Sequence, residues 1–119
     1  SHYFDNALFA KTATTMLNNV KPEMQEYPSG YSNWFDLMLN YTDSYYEVAI
    51  VGDEAKSKII DLNKTYIPNK LIAGSISENN MPLLENRYNP STTLIYVCVN
   101  KACKLPVSEV NKAIKLLKK

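Results

Sequence analysis

The chain has 119 residues, a formal net charge of +1 at pH 7, and a hydrophobic share of 45%. This share supports a folded core, so the composition excludes a globally disordered chain, and the length suits one ordinary domain. The small charge argues against a nucleic-acid surface, and no apolar run reaches the ~18 residues of a membrane span. We therefore expect neither nucleic acid nor membrane as a partner.

The first two residues, Ser1-His2, resemble the remnant of a cleaved or engineered tag, because the chain lacks an initiator Met. His2 is the only histidine, so a histidine-based catalytic triad or metal site is almost excluded. We expect no catalytic residue, no metal and no cofactor in this piece. No signal peptide is visible, and we expect a cytoplasmic location.

Residues 3–44 predict a helical hairpin. The first helix runs from Phe4 to about Val20 and ends before Pro22, and the second runs from about Ser32 to Tyr41. Seven aromatic residues lie between Tyr27 and Tyr46. Such clusters more often form cores and interfaces, but they also stack on sugars. The candidate ligand-binding residues are Tyr31, Trp34 and Tyr41.

Residues 45–119 predict a small α/β domain. The apolar run Val48–Val51 indicates a strand buried on both faces, followed by a turn at Gly52-Asp53. Asp53 is expected to cap a helix that Pro68 ends, and a second strand follows around Ile72, which completes a β-α-β unit. Turns after parallel strands often bind ligands. With three glycines in the whole chain, a structural turn is favoured here over nucleotide binding.

A long irregular stretch, 74–93, follows, with apolar residues that are expected to hold it on the core. Arg87, the only arginine, is expected to pair with Glu85 or face solvent, with anion binding as the alternative. Residues 93–99 predict the clearest strand, and Asn100-Lys101 predicts a tight turn into a short edge strand. Ser108 is expected to cap a last helix.

The predicted fold class is therefore α/β: an N-terminal helical hairpin followed by β-α-β, a long loop, a β-hairpin and a C-terminal helix. The sheet is expected to be small and mixed. Its predicted order is the second strand, the first, the third, and then the short edge strand.

Cys98 and Cys103 are the redox candidates, and the turn at Asn100-Lys101 places them opposite each other on paired strands. Their spacing, Cys-x4-Cys, differs from the Cys-x-x-Cys of thiol oxidoreductases. We favour two buried free thiols. A structural disulfide, a reversible redox couple and a metal site remain as alternatives.

The stretch Tyr96-Val97-Cys98-Val99, with Cys103 and Pro106-Val107 after it, resembles a motif near the end of large thioredoxin-domain-containing proteins. These proteins are of the spermatogenesis-associated type and include bacterial relatives. The strand Glu47–Asp53 and the segment Tyr66-Ile67-Pro68-Asn69 resemble two further blocks of the same family. The resemblance covers roughly residues 30 to 119.

The resemblance implies a parent chain with a thioredoxin-like domain and an (α/α)6 barrel upstream of this piece. It makes those upstream domains the expected partners, with residues 3–44 as the end of the barrel. We expect a non-catalytic C-terminal domain that packs on the barrel, or self-associates when isolated. The alternatives are a thiol redox accessory module using Cys98 and Cys103, and a carbohydrate-binding contribution from the aromatic hairpin.

Overall fold

A computed structural model describes residues 3–118, so the predicted tag remnant Ser1-His2 lies outside the described residues. The described chain forms two compact units, Asp5–Ser44 and residues 45–118 with Tyr3 and Phe4. The helices are α1 (Ala7–Glu26), α2 (Ser32–Thr42), α3 (Ala55–Asn63) and α4 (Val110–Leu117), and a 3-10 turn covers Pro28–Tyr31. The strands are β1 (Tyr46–Val51), β2 (Lys70–Ser75), β3 (Leu94–Val99) and β4 (Ala102–Cys103). The predicted α/β class is confirmed.

Helix α1 is longer than the sequence predicted. It begins after Asn6, whose side-chain oxygen accepts the Phe9 N–H at 3.1 Å, rather than at Phe4. It also continues past Pro22, so the predicted stop there is wrong. A proline inside a helix cannot donate its backbone hydrogen bond. The burial of Met24, two residues further on, offsets that loss.

The second unit is built on a four-stranded sheet in the order β2-β1-β3-β4, which confirms the predicted order. Strand β1 is parallel to β2 and antiparallel to β3, and β3 is antiparallel to β4. The sheet is therefore mixed, as predicted. Strand β1 occupies an interior position, and all of its residues are buried.

Alternating residues of β1 face two different layers. Val48 and Ile50 pack with apolar side chains of α3 and α4, including Leu62 and Leu117. Ala49 and Val51 face the opposite side, where the apolar cover includes loop residues Leu83 and Leu84. The sheet thus has helices on one face and the long irregular segment between β2 and β3 on the other.

Two predicted helix caps are wrong. Helix α3 begins at Ala55 after Glu54, and α4 begins at Val110 after Glu109, so neither Asp53 nor Ser108 is the capping residue. The start of α3 is held from a distant part of the chain, because the Thr93 hydroxyl accepts the Glu54 N–H at 3.0 Å. Local sequence could not show this bond.

Among residues 3–118, no helix is long and apolar enough to cross a membrane.

Only glycine fits at position 52, because the backbone and side chain of Thr93 pack directly against it. Its φ is +134°, and a Cβ there would lie 2.6 Å from the Thr93 Cα. Gly52→Ala should therefore lower the free energy of unfolding by about 2–4 kcal/mol, measured by urea denaturation.

The matched control is Gly30→Ala, where the added Cβ meets the ring of the exposed Tyr27. That ring can rotate away, so the control should change stability by less than about 1 kcal/mol. An equal loss in both variants would contradict the steric explanation.

Candidate functional site

Cys98 and Cys103 are joined by a disulfide that links β3 to β4, with Cα atoms 3.9 Å apart. The favoured interpretation of two free thiols is therefore wrong. Asn100 and Lys101 have φ values of 50° and 68°, which is the conformation of a two-residue hairpin turn. The predicted turn is confirmed.

The hairpin geometry explains why the bond forms. Val99 pairs with Ala102 beside the turn, and the Lys104 N–H donates to the Val97 carbonyl at 3.0 Å on the other side of the cysteines. Cys98 and Cys103 therefore form a non-hydrogen-bonded pair, and side chains of such pairs lie closest in an antiparallel ladder.

Arg87 lies directly on this disulfide. Its Nη1 is 3.4 Å from the Cys98 Sγ and 3.3 Å from the Cys103 Sγ. Its Cζ is 4.9 Å from the centroid of the Tyr96 ring, a cation–π distance. The Tyr96 hydroxyl also donates to the Arg87 carbonyl at 3.2 Å. The expectation that Arg87 pairs with Glu85 or faces solvent is wrong.

The site combines opposite charges on a partly buried surface. Burial lowers the pKa of the Arg87 guanidinium, and the nearby Tyr96 and Glu47 oppose this shift. Glu47 is only 7% exposed and lies opposite Cys98 in the β1–β3 ladder. Its Oε2 accepts the Lys101 N–H at 3.4 Å, which ties the turn to the central strand.

The two cysteines differ in their access to solvent. Cys98 lies in β3 and is 1% exposed, whereas Cys103 lies in the edge strand β4 and is exposed. A disulfide with one exposed sulfur-bearing residue and a contacting cation has the parts needed for thiol–disulfide exchange. We define Cys98, Cys103, Arg87, Tyr96 and Glu47 as the disulfide cluster.

Sequence reasoning found the cysteines but missed the other three members of the disulfide cluster. Glu47 had a detectable signal, because it is an acidic residue in an otherwise apolar strand. Arg87 lies in an irregular segment without periodicity, so nothing local placed it near the cysteines.

Within residues 3–118, no group of three or more His, Cys, Asp or Glu side chains is arranged to hold a metal.

The turn residues Gly52 and Asp53 lie apart from the disulfide cluster, at the far end of β1. Asp53 and Glu54 line a polar cleft of about 290 Å³ together with residues 89–93. Two carboxylates at the rim do not suit an anionic phosphate. The glycine itself is explained by the approach of Thr93, which supports the structural reading of this turn.

The three aromatic candidates belong to the first unit. The Tyr31 hydroxyl donates to the Glu23 carboxylate, and this hydrogen bond raises the pKa of Tyr31 above its usual value. Trp34 is half-buried and Tyr41 is exposed, both on α2. Carbohydrate binding by these residues stays a prediction.

No protein-family model, curated protein or solved structure matches the chain. The resemblance to thioredoxin-domain-containing proteins therefore stays a prediction.

Reduction of the disulfide should lower the free energy of unfolding by about 2 kcal/mol, because the bond closes only a short loop. Chemical denaturation with and without a phosphine reductant measures this change. The double variant Cys98→Ala/Cys103→Ala is the control and should be insensitive to the reductant. A protein whose stability is the same in both conditions would contradict any bracing role for the bond.

Proposed function

We propose that this chain is a thiol–disulfide accessory module in which Cys98 and Cys103 cycle between a disulfide and two thiols. The observation that supports the proposal is the contact of the Arg87 guanidinium with both sulfurs. A neutral disulfide is a weak acceptor and gains little from a cation. A thiolate gains much more, and neighbouring cations lower the pKa of thiols. The arrangement is therefore suited to stabilise the charged species that form during reduction.

The expected compartment adds to this argument. In the cytoplasm, where we place the protein, disulfides are uncommon and are usually transient, catalytic or redox-sensing. The exchange partner would be a dithiol, such as that of the thioredoxin-like domain that the family resemblance puts upstream. The partner dithiol becomes a disulfide as Cys98 and Cys103 become thiols, so the exchange needs no cofactor.

The competing role is mechanical. Strand β4 contains only Ala102 and Cys103, and the disulfide fastens this short edge strand to β3. Structural disulfides have reduction potentials below about −300 mV and resist the glutathione pool. A redox module needs a less negative potential, so the potential separates the two roles.

We expect the two cysteines to interconvert as one two-electron couple at a potential between about −180 and −300 mV. The folded chain is equilibrated over a series of glutathione ratios, quenched with acid, alkylated in denaturant and read by intact mass. Addition of two alkyl groups in one step is the expected result. A disulfide that stays oxidised at every glutathione ratio would contradict the redox proposal and support the mechanical role.

The control for this titration is Ser57→Cys, which adds a single thiol at an exposed position of α3. In the Cys98→Ala/Cys103→Ala background this thiol has no partner within the chain, so it should report only one-thiol exchange with glutathione. Similar behaviour of the native pair would show that the two cysteines do not act together.

A second candidate function is packing on a larger helical protein, as expected for the end of an (α/α)6 barrel. The observation that favours it is the apolar surface of the first unit. Leu8, Phe9 and Met16 of α1 are 67%, 54% and 50% exposed. Helix α2 has no buried residue, and Leu39 and Tyr41 on it are exposed. Exposed apolar side chains in such number are typical of a surface that another body covers.

If this surface is an interface, the isolated chain should self-associate, with a sedimentation coefficient that rises with concentration. The double variant Phe9→Glu/Met16→Glu should restore the monomer, because charge on a buried interface is costly. Thr14→Glu, on a different side of α1 and also exposed, is the control and should leave association unchanged. A monomer at all concentrations would contradict the prediction for the isolated chain.

A further inference from the structure

We infer that the two sulfurs of the disulfide have fixed and different roles: a partner thiolate attacks Cys103, and Cys98 is the leaving thiolate that Arg87 stabilises. This inference rests on the proposed function and deepens it by assigning the direction of exchange.

Access decides which sulfur is attacked. In the sheet order β2-β1-β3-β4, Cys98 lies on the interior strand β3 and is 1% exposed. Cys103 lies on the edge strand β4 and is exposed. A thiolate carried by another protein domain can approach only a sulfur that reaches the surface. Exchange rates depend on this access as well as on the nucleophile.

The exchange balances in two steps. In the first step, the partner thiolate forms a bond to the Cys103 Sγ, the bond between the two cysteines breaks, and its electron pair leaves on the Cys98 Sγ. In the second step, the second thiol of the partner loses its proton to solvent and attacks its own sulfur in the mixed disulfide. The Cys103 Sγ then leaves as a thiolate, the partner is oxidised, and both cysteines are reduced.

Arg87 is placed to stabilise the thiolate that leaves in each step. Its Nη1 lies 3.4 Å from the Cys98 Sγ and 3.3 Å from the Cys103 Sγ, so one nitrogen serves both. Tyr96 holds the residue twice, through its ring below the guanidinium and through its hydroxyl on the Arg87 carbonyl. A thiol whose pKa is lowered by a cation is a better leaving group.

The other charged groups near the bond are Glu47 on β1, Lys101 in the turn and Lys104 after β4. The Glu47 carboxylate lies opposite Cys98 in the ladder and opposes the effect of Arg87 on a thiolate there. The Lys101 N–H donates to Glu47, and the Lys104 ammonium donates to the Leu116 carbonyl at 3.0 Å. The Arg87 guanidinium contacts both sulfurs, and its removal is therefore the direct test.

The first test locates the mixed disulfide in the unmodified, oxidised chain. The chain is mixed with reduced glutathione at pH 7, quenched within seconds with acid, unfolded in urea with excess maleimide, and mapped by peptide mass spectrometry. We expect glutathione on Cys103 and maleimide on Cys98, with at least about a tenfold excess over the reverse pattern. Equal labelling, or glutathione mainly on Cys98, would overturn the assignment.

The second test measures the rate of this first step in Arg87 variants. Arg87→Met keeps the side-chain length without the charge and should slow attack by about tenfold. Arg87→Lys keeps the charge but lacks the planar guanidinium, so it should react faster than Arg87→Met and more slowly than the unmodified chain. In a Cys103→Ala background, Arg87→Met should also shift the pH profile of Cys98 alkylation to higher pH. A merely structural Arg87 would leave this pH profile unchanged.

The two proposals fail in different ways. The redox proposal fails if the reduction potential lies outside the cellular range, whereas the position of the mixed disulfide can still be mapped with excess glutathione. The assignment of roles fails if the wrong sulfur is labelled, whatever the potential. Circular dichroism of each variant separates a chemical effect from a loss of folding.

Discussion

The removal of β1 from water on both faces is the constraint on which the second unit depends. Every residue of this strand is buried, and its two edges pair with β2 and β3. Burial of Val48 and Ile50 requires α3 and α4 on one face, and burial of Ala49 and Val51 requires a cover on the other. Apolar area removed from water is worth roughly 25 cal/mol per Å², so this one strand organises both layers.

The same strand brings the disulfide cluster together. The irregular segment that covers the second face includes Leu83 and Leu84 at its anchor and Arg87 just after them. Because Leu83 and Leu84 pack against the sheet, Arg87 lies within contact distance of the Tyr96 ring and of the two sulfurs. The loop that buries one face of the sheet therefore also places the only arginine of the chain beside its only two cysteines. This coupling links the stability of the second face to the proposed exchange chemistry.

The cluster also explains why a disulfide at this position need not be only a brace. A bond that serves to fasten β4 would not need a charged group at its sulfurs, and desolvating a guanidinium carries a cost. The lowered pKa of Arg87 reflects that cost. A cation held there by Tyr96 has a physical purpose once a thiolate forms, which is the basis of the proposed function.

The comparison of sequence and structure separates local from distant causes. Two of the three strand pairings were predictable, because the β-α-β unit makes β1 and β2 parallel neighbours and a two-residue turn makes β3 and β4 antiparallel neighbours. The antiparallel pairing of β1 with β3, which completes the order, was decided by the tertiary structure. The sequence also contained an indication of the disulfide. In a two-residue hairpin the residues that flank the turn, Val99 and Ala102, form a hydrogen-bonded pair, and the next pair, Cys98 and Cys103, is not hydrogen-bonded. That distinction places the two sulfurs within bonding range. The predicted Asp53 cap failed because Thr93, distant in sequence, supplies the oxygen at the start of α3.

The sequence by itself determined the α/β class, the main strands and the hairpin turn, because these depend on apolar periodicity and on turns between neighbouring segments. The position of Arg87 was decided only by the tertiary structure. An irregular segment has no repeat from which a side-chain direction can be read, and its path is set by where Leu83 and Leu84 find apolar surface. The chemistry proposed for this protein therefore depends on a contact that packing, and not local sequence, creates.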